Sequence, residues 1–402
     1  MTVARPYAPA LGVERTAGSR IRLKTVYLLP RSTEVRCLKR VRWLAREGLE
    51  PTTLAFERTG FDIEVDLPYV SLGRLEHRRY WRRPFALLRA VPRVVPRLRG
   101  AAVTYCFGLD LLALAWLCRV LGGTRTTLVY EVADVLEIQC GTGLPSRLIR
   151  TMERFLLRRA AALVVTSPAY IDGYYRRFRQ LPPVFLIENK FGHALGPAIE
   201  AVRATPVCRE PDVITIGYFG GIRCMRSLDL LFELAARAGG RISVYIRGAT
   251  NSETIRRRLD EAPTHVIVEG PFKPEVDMPH MYRAIDLGWV AYYHAATNAR
   301  MARSNRFYDC CMFGRPMIAQ KDSPDGRIVE QKGLGLIIDA DDRERAMRAM
   351  LALTPAQIAA WRGNVLALPR RVFAHEPEEE HADLARFLAG ADPMVAARGA
   401  TS

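Results

Sequence analysis

Residues 216–231 read IGYFGGIRCMRSLDLL, and this stretch decides the fold. An apolar run typical of a buried strand ends at two adjacent glycines, Gly220 and Gly221, and an amphipathic helix begins near Ser227. Glycines let the backbone approach a ligand closely, and a helix N-terminus favours an anion. Arg223 and Arg226 could neutralise a diphosphate with their forked donors. The stretch therefore predicts an anion site, with a tight turn that carries solvated arginines as the alternative.

The same alternation of short apolar runs and amphipathic stretches extends in both directions. Such alternation indicates βαβ units and parallel sheets. We expect an α/β protein with two Rossmann-like, doubly wound domains that face each other across a cleft, because open sheets bind ligands at the carboxyl ends of their strands. The predicted parts are a flexible N-terminus (1–21), a first domain (22–190), a linker (191–212), a second domain (213–370), and a C-terminal helix and tail (371–402).

Composition excludes several classes of protein. The 402 residues are 49% hydrophobic and 25% charged, as in ordinary globular proteins, which argues against a disordered chain. No apolar run reaches 18 residues and the N-terminus lacks an apolar core, so we expect neither a membrane-spanning helix nor a secretory signal. The eight cysteines form no CxxC pair, which disfavours a zinc site or disulfide scaffold and suits a reducing cytoplasm.

The charge is strongly lopsided. The formal net charge is +17, and residues 1–200 hold 32 Lys and Arg against 17 Asp and Glu, whereas residues 201–402 hold 27 against 25. The basic half could face an anionic membrane, nucleic acid or a phosphorylated substrate.

Two segments resemble one known family. The stretch 216–231 resembles the start of the C-terminal domain in GT-B glycosyltransferases, especially family 4, and Arg226 falls on that family's basic diphosphate position. Gly221 replaces the family's usual arginine, and Arg223 would compensate. The resemblance implies a nucleotide-sugar donor bound by the second domain, with Gly220 beside its diphosphate.

The segment 304–319, SNRFYDCCMFGRPMIA, is similar to a second family motif. The resemblance implies that Asp309 holds the donor ribose hydroxyls and that Arg306, beside Asn305, helps to bind phosphate. The upstream glutamate of the family's paired-glutamate motif would fall on Met301, so the strict retaining subfamily is not assigned. Inversion and retention of the sugar configuration both stay open.

Candidate catalytic carboxylates follow a strand of the first domain. Residues 127–136, TLVYEVADVL, resemble the corresponding strand of membrane-associated bacterial glucuronosyltransferases of polysaccharide assembly, in which an aspartate is the base. The resemblance gives that role to Asp134, with Glu131 as the fallback, and helix capping is the alternative for Asp134. Glu269 and Gly270 resemble the loop that lines the nucleotide base.

No cofactor or metal is expected. Asp339-Ala340-Asp341 formally matches a DxD metal motif, but it directly precedes a predicted helix, and helix capping explains it. GT-B enzymes commonly work without a bound metal, and the nucleotide-sugar is a substrate.

A basic, aromatic segment predicts membrane contact. Residues 74–99 contain nine arginines and one acid, interleaved with aromatic side chains that suit an anionic bilayer interface. Three prolines predict short docking pieces in place of one long helix. A solvated arginine face is the alternative, and no nucleic-acid motif accompanies the segment. The candidate membrane or acceptor contacts are Arg78, Arg79, Trp81, Arg82 and Arg83.

The sequence therefore predicts a glycosyltransferase that moves a sugar from a UDP- or GDP-sugar to a lipid-linked or polysaccharide-precursor acceptor. A polyprenyl-diphosphate-linked saccharide is the expected acceptor, and the expected place is the inner face of the cell membrane, where the protein is peripheral and cytoplasmic. Two alternatives stay open, a GT-B nucleotide-sugar epimerase and a non-catalytic basic adaptor for membranes or nucleic acid.

Overall fold

The chain folds into two compact units. The computed structural model describes residues 22–57, 67–75, 83–132, 134–190, 196–208, 213–292, 300–375 and 380–391. The first unit consists of two segments, one that ends at Glu188 and one that begins at Pro377. The second unit spans Asn189–Glu376.

Strands and helices alternate along both units. The strands are β1 (Leu23–Leu29), β2 (Leu49–Glu57), β3 (Tyr69–Arg74), β4 (Val103–Phe107), β5 (Thr127–Val132), β6 (Ala162–Val165), β7 (Val184–Leu186), β8 (Ile214–Gly221), β9 (Ile242–Ala249), β10 (Val266–Glu269), β11 (Leu287–Trp289), β12 (Met317–Gln320) and β13 (Gly335–Ile338). The helices are α1 (Val35–Arg46), α2 (Arg83–Leu98), α3 (Leu109–Leu121), α4 (Glu137–Cys140), α5 (Leu144–Leu157), α6 (Pro168–Gly173), α7 (Pro197–Ala204), α8 (Met225–Arg237), α9 (Glu253–Asp260), α10 (Pro274–Arg283), α11 (Asn305–Met312), α12 (Pro324–Lys332), α13 (Arg343–Leu351), α14 (Pro355–Leu366) and α15 (Glu380–Ala391).

Each unit is built on one parallel sheet. The first sheet has the strand order β3-β2-β1-β4-β5-β6-β7, and the second has the order β10-β9-β8-β11-β12-β13. In both sheets the chain steps outward from its first strand and then returns to the other side of that strand. Ligands of open α/β sheets bind at the carboxyl ends of the strands where the order reverses. The predicted fold class, two Rossmann-like α/β domains, is confirmed.

The core of the first unit includes the last helix of the described chain. Leu44 of α1 and Leu384 and Leu388 of α15 are buried in one apolar cluster with strand residues such as Tyr27. The sequence predicts a packing helix near residues 381–388, and the structure shows that it completes the unit that begins the chain.

The sheet of the second unit is covered on both faces. Because side chains alternate along a strand, Ile216 and Tyr218 of β8 pack in one apolar cluster with α8, whereas Phe219 packs in another with α10. The segment predicted as a linker contains α7, which belongs to this unit. Its Arg203 donates to the carbonyl oxygens of Cys311 and Met312, both at 3.0 Å, at the end of α11.

Helix α2 differs from the sequence-based expectation. It runs unbroken for 16 residues although Pro92 and Pro96 lie inside it. Both prolines are exposed, four residues apart, on the same side as exposed Leu88. The carbonyls that lose their intrahelical donors therefore face water, which can replace the missing hydrogen bonds. The prediction that prolines divide this segment is wrong because it ignores which side of the helix they occupy.

Candidate active site

In the second unit, the predicted donor-site residues gather at the carboxyl end of β8. The strand runs through Gly220 and Gly221, so the glycines end the strand and do not form a separate turn. Gly220 has a φ of +96°, and a side chain there would meet nothing within 4 Å. A Cβ on the paired Gly248 of β9 would lie 1.8 Å from the Gly220 carbonyl oxygen. The glycines thus allow a close strand pairing and leave open space beside Gly220.

Arg306 anchors this strand end from inside the unit. Its side chain is only 6% exposed, Nε donates to the Phe219 carbonyl oxygen at 2.6 Å, and Nη2 donates to the Gly221 carbonyl oxygen at 3.2 Å. The guanidinium also lies 4.4 Å from the centre of the Tyr218 ring. The structure therefore gives Arg306 the role of a strand anchor in place of the predicted phosphate contact, because carbonyl oxygens occupy its donors.

Two other arginines remain accessible at the start of α8. The side chain of Arg226 is 66% exposed and lies 3.3 Å from the exposed carboxylate of Asp341. Arg223 is exposed and folds over Gly221, since a Cβ on that glycine would lie 3.2 Å from the Arg223 Nε. An exposed ion pair is worth little, so an anion could displace Asp341 at small cost. Two cations and a helix N-terminus thus lie beside the open space at Gly220.

Helix α11 brings two more predicted residues to the same strand end. Its N-cap, Ser304, accepts a hydrogen bond from the Arg306 backbone N–H. The neighbouring Asn305 is exposed, and its Oδ1 accepts a hydrogen bond from Nδ2 of Asn189 at 2.5 Å. Asp309 is half-buried one turn later on the same side of the helix. Burial and the nearby Asp309 carboxylate raise the pKa of Tyr282. Arg306 links α11 to the carboxyl end of β8, so Asn305 and Asp309 lie on a helix whose start is held next to Gly220 and Gly221.

Glu269 ends β10 in a polar network with β9. Its carboxylate accepts from the Tyr245 hydroxyl at 2.6 Å and lies 3.2 Å from Nε of Arg247. Nη2 of the same arginine lies 3.3 Å from the Asp277 carboxylate. The network fixes the start of the loop at Gly270. The structure therefore supports a loop-positioning role for the Glu269 side chain.

The DxD segment acts locally. Asp339 accepts a hydrogen bond from the Asp341 backbone N–H at 3.1 Å, and the side chain of the next residue, Asp342, caps α13 by accepting from the Arg345 N–H. Within the described ranges, no group of three or more His, Cys, Asp or Glu side chains is arranged to hold a metal ion.

In the first unit, the two candidate catalytic carboxylates have opposite environments. Asp134 is exposed just beyond the carboxyl end of β5, followed by the buried Val135. Glu131 is fully buried, lies 3.0 Å from Nε of Arg40, and accepts from the Tyr105 hydroxyl at 2.5 Å. An acceptor hydroxyl has no access to such a carboxylate. Glu131 is therefore corrected to a structural residue, and Asp134 remains the candidate base.

Sequence reasoning missed the partner of Glu131. Arg40 is buried in α1, where its Nη2 donates to the Ile187 carbonyl oxygen at 2.7 Å and its Nη1 lies 2.6 Å from Nε2 of His381. The signal was available, since Arg40 lies between Leu38, Val41 and Leu44 on the apolar side of the helix. A cation at such a position calls for a buried acid.

An exposed apolar stripe runs along α5. We call the side chains of Leu144, Leu148, Met152 and Phe155 the α5 face. Leu144 and Leu148 are 78% and 72% exposed. The helix also carries Arg147, Arg150 and Arg154; Arg158 and Arg159 follow its last turn, and its one acid is buried. The apolar side chains of the α5 face are spaced four, four and three residues apart, which is a helical spacing that the sequence alone contains.

The predicted membrane segment is only partly described. Arg78, Arg79, Trp81 and Arg82 lie outside the described residues. Arg83 is described, and its Nε lies 2.5 Å from Asp110 at the start of α3, so it links two helices. Phe85 and Leu88 of α2 are more than half exposed. Among the helices that the structure describes, none combines the length and the apolar character needed to cross a bilayer.

Comparison with known proteins agrees with this architecture. Residues 33–190 match a family model described as a glycosyl transferase 4-like domain. The succinoglycan biosynthesis protein ExoL of Rhizobium meliloti (strain 1021) is 26% identical over 345 residues, which cover 83% of this chain and 85% of that protein.

Solved structures share the fold. HepE of Anabaena, in complex with UDP, superposes with a TM-score of 0.68 at 15% identity and covers 92% of this chain and 100% of its own. WaaG, described as a glycosyltransferase involved in lipopolysaccharide biosynthesis, gives a TM-score of 0.62 at 11% identity over 91% of this chain and 100% of its own. The chain thus has the GT-B fold of these solved structures, and the sequence matches make it a glycosyltransferase similar to family 4.

Proposed function

We propose that this GT-B glycosyltransferase transfers a sugar from a UDP-sugar to a lipid-linked precursor of an exopolysaccharide at the inner face of the cell membrane. HepE has been solved with UDP and with UDP-glucose, which favours uridine over guanosine as the donor nucleotide. The name of ExoL places that relative in succinoglycan biosynthesis, which favours an exopolysaccharide product.

The observation that carries the donor assignment is the pair of accessible arginines at the start of α8. Arg223 and Arg226 adjoin the open space at Gly220. A nucleoside diphosphate brings two to three negative charges, which arginines and a helix N-terminus neutralise together. Asp309 would accept hydrogen bonds from the ribose hydroxyls, and the Gly270 loop would contact the base.

An inverting transfer needs a base for the acceptor hydroxyl, and we propose that the first unit supplies it. In an inverting transfer, the acceptor hydroxyl attacks the anomeric carbon, the bond from that carbon to the phosphate oxygen breaks, and UDP leaves with the electron pair. The acceptor proton passes to the Asp134 carboxylate, which is exposed at the carboxyl edge of its sheet. Positioned bases contribute roughly 10²–10⁴-fold in rate.

The exposed side chains of the first unit support a membrane-bound acceptor. The α5 face offers apolar side chains beside arginines, and Phe85 and Leu88 of α2 do the same. Exposed apolar patches with a cationic rim are typical of surfaces that lie in the interface of anionic membranes. Arg83 at the start of α2 contacts Asp110 at the start of α3, which directly follows β4, and α5 follows β5 through the short α4. Both helices therefore begin near the carboxyl edge of the sheet, where Asp134 also lies.

Isothermal titration tests the donor site. We expect UDP and UDP-glucose to bind more tightly than GDP. Arg226→Ala should weaken UDP binding by about 10- to 150-fold, because a charge-assisted hydrogen bond contributes on the order of 1.5–3 kcal/mol. Arg257→Ala, an exposed arginine on α9, is the matched control and should bind UDP as the wild type does. Equal UDP affinity in Arg226→Ala and in Arg257→Ala would contradict the donor site.

Vesicle flotation tests the membrane surface. With phosphatidylglycerol vesicles at low salt, the wild type should float and should be released as ionic strength rises, because exposed charges are screened beyond about 8 Å at physiological salt. Leu144→Ser with Leu148→Ser should weaken flotation, whereas Val276→Ser, an equally exposed apolar side chain of the second unit, should not. Wild-type protein that ignores anionic vesicles at low salt would overturn this part.

A further inference from the structure

A buried carboxylate without a role in the proposed chemistry is connected by hydrogen bonds to the loop that carries Asp134. Glu153 of α5 is fully buried, and its hydrogen-bond donors are neutral groups from β5, α4 and the α6 region. We call this group the Glu153 cluster; its donors are Tyr130, Gln139, Tyr174 and Tyr175. Burial raises the pKa of Glu153, and these hydrogen bonds partly offset the shift.

Gln139 connects the Glu153 cluster to the loop after β5. Its Nε2 donates to Glu153 at 3.2 Å, and its Oε1 accepts from the Leu136 backbone N–H at 2.7 Å. The amide of one buried side chain thus bridges the cluster and a backbone group two residues after Asp134. Arg150 fixes the far end of the loop, because its Nη1 donates to the carbonyl oxygens of Gln139 and Gly141 at 2.9 and 2.6 Å.

The loop has few apolar anchors of its own. Val135 is buried, but Leu136, Glu137 and Ile138 are exposed. Packing alone would therefore leave the segment that follows Asp134 weakly held. A buried carboxylate with neutral donors is expensive to desolvate, and a hydrogen-bond network that satisfies it defines one geometry for the groups it joins.

We infer that Gln139 and Glu153 are positioning residues that hold the Asp134 loop in its active geometry. The inference rests on the proposed role of Asp134 as the base. Without the Gln139 link, the Leu136 amide loses its acceptor, and the loop that carries Asp134 loses one of the contacts that fix its geometry. A misplacement of about 1 Å at a reacting group can lower the rate by about a hundredfold.

Two measurements on Gln139→Ala test the inference. Hydrogen exchange at the Leu136 amide should become at least about tenfold faster, since the amide loses its hydrogen bond. The kcat for hydrolysis of UDP-glucose, with water as the acceptor, should fall by about ten- to a hundredfold, while the affinity for UDP stays unchanged because UDP binds the other unit. In an Asp134→Asn background, Gln139→Ala should cause no further loss of kcat.

Matched variants separate positioning from general damage. Tyr175→Phe removes a cluster donor, whereas Tyr27→Phe removes a buried hydroxyl that has no hydrogen-bond partner among the described residues, so only the former should lower kcat. The double variant Gln139→Glu with Glu153→Gln swaps the two side chains and so keeps one amide and one carboxyl group in contact. It should recover part of the activity that Gln139→Glu alone loses.

The outcomes distinguish this inference from the proposed function. Unchanged exchange at Leu136 in Gln139→Ala, or the same loss of kcat with and without Asp134→Asn, would overturn the positioning role. An Asp134→Asn enzyme with wild-type kcat would remove Asp134 as the base and the catalytic part of the inference together. Absence of UDP-glucose binding by the wild type would overturn the donor proposal, and the exchange measurement would still decide whether Gln139 holds the loop.

Discussion

Replacement of Arg306 should lower the free energy of unfolding of the second unit, and its main effect should be on stability and not on direct contact with the donor. In Arg306→Met, the carbonyl oxygens of Phe219 and Gly221 lose donors at 2.6 and 3.2 Å. Hydrogen bonds from charged groups contribute about 1.5–3 kcal/mol each, so the free energy of unfolding should fall by about 3–6 kcal/mol. Arg306→Lys retains one point charge without the planar fork and should lose about half as much.

Urea denaturation gives the free energies, and titration with UDP gives the affinity of the folded variants. Arg226→Ala is the contrasting variant, because its side chain is 66% exposed. It should change the free energy of unfolding by less than about 0.5 kcal/mol while it weakens UDP binding. If Arg306→Met unfolded like the wild type but no longer bound UDP, Arg306 would be a ligand contact and our reading of its buried hydrogen bonds would be refuted.

Two further predictions concern the first unit. Arg40→Met leaves Glu131 buried without its cation and should lower the free energy of unfolding by about 3–5 kcal/mol in urea, whereas Arg40→Met combined with Glu131→Leu should cost less. The second concerns pH. Burial raises the pKa of Glu153 above its usual 4.5, so at a pH just above 4.5 the folded chain keeps a proton that the unfolded chain releases. The contribution of this group to the free energy of unfolding therefore falls as the pH rises from about 4.5 through the pKa of the folded chain. Glu153→Gln should remove this dependence; identical urea midpoints against pH in the wild type and in Glu153→Gln would contradict it.

Much of the fold could be predicted from the sequence because parallel strands buried on both faces read as continuous apolar runs. For example, the run of helix-forming apolar residues at 109–121 predicts a helix, and α3 has the same bounds, Leu109–Leu121. Strand β3, with one buried residue, gave no comparable signal. Helix α2 was missed because proline was judged by its presence in the sequence, whereas its cost depends on whether water reaches the carbonyls it leaves unpaired.

The candidate site was less predictable, since motif positions specify residue types and not the direction of side chains. Arg226 and Arg306 both matched basic positions, yet one is exposed and the other is buried against carbonyl oxygens. Glu131 and Asp134 are three residues apart, and only the partner from α1 shows which of them is structural. Such distinctions depend on contacts between residues far apart in the chain, which local patterns do not contain.

The return of α15 to the first unit has a consequence for biosynthesis. The first unit is interrupted by residues 189–376, so its final helix leaves the ribosome after the whole second unit. At about 5–20 residues per second, that interval lasts on the order of 10–40 s. During this interval, the apolar surface of α1 that Leu384 and Leu388 cover in the folded chain is exposed, and Arg40 lacks its contact with His381. We therefore expect the first unit to complete its core only after translation passes α15, so that the synthesis of the second unit sets the time at which the first unit is finished.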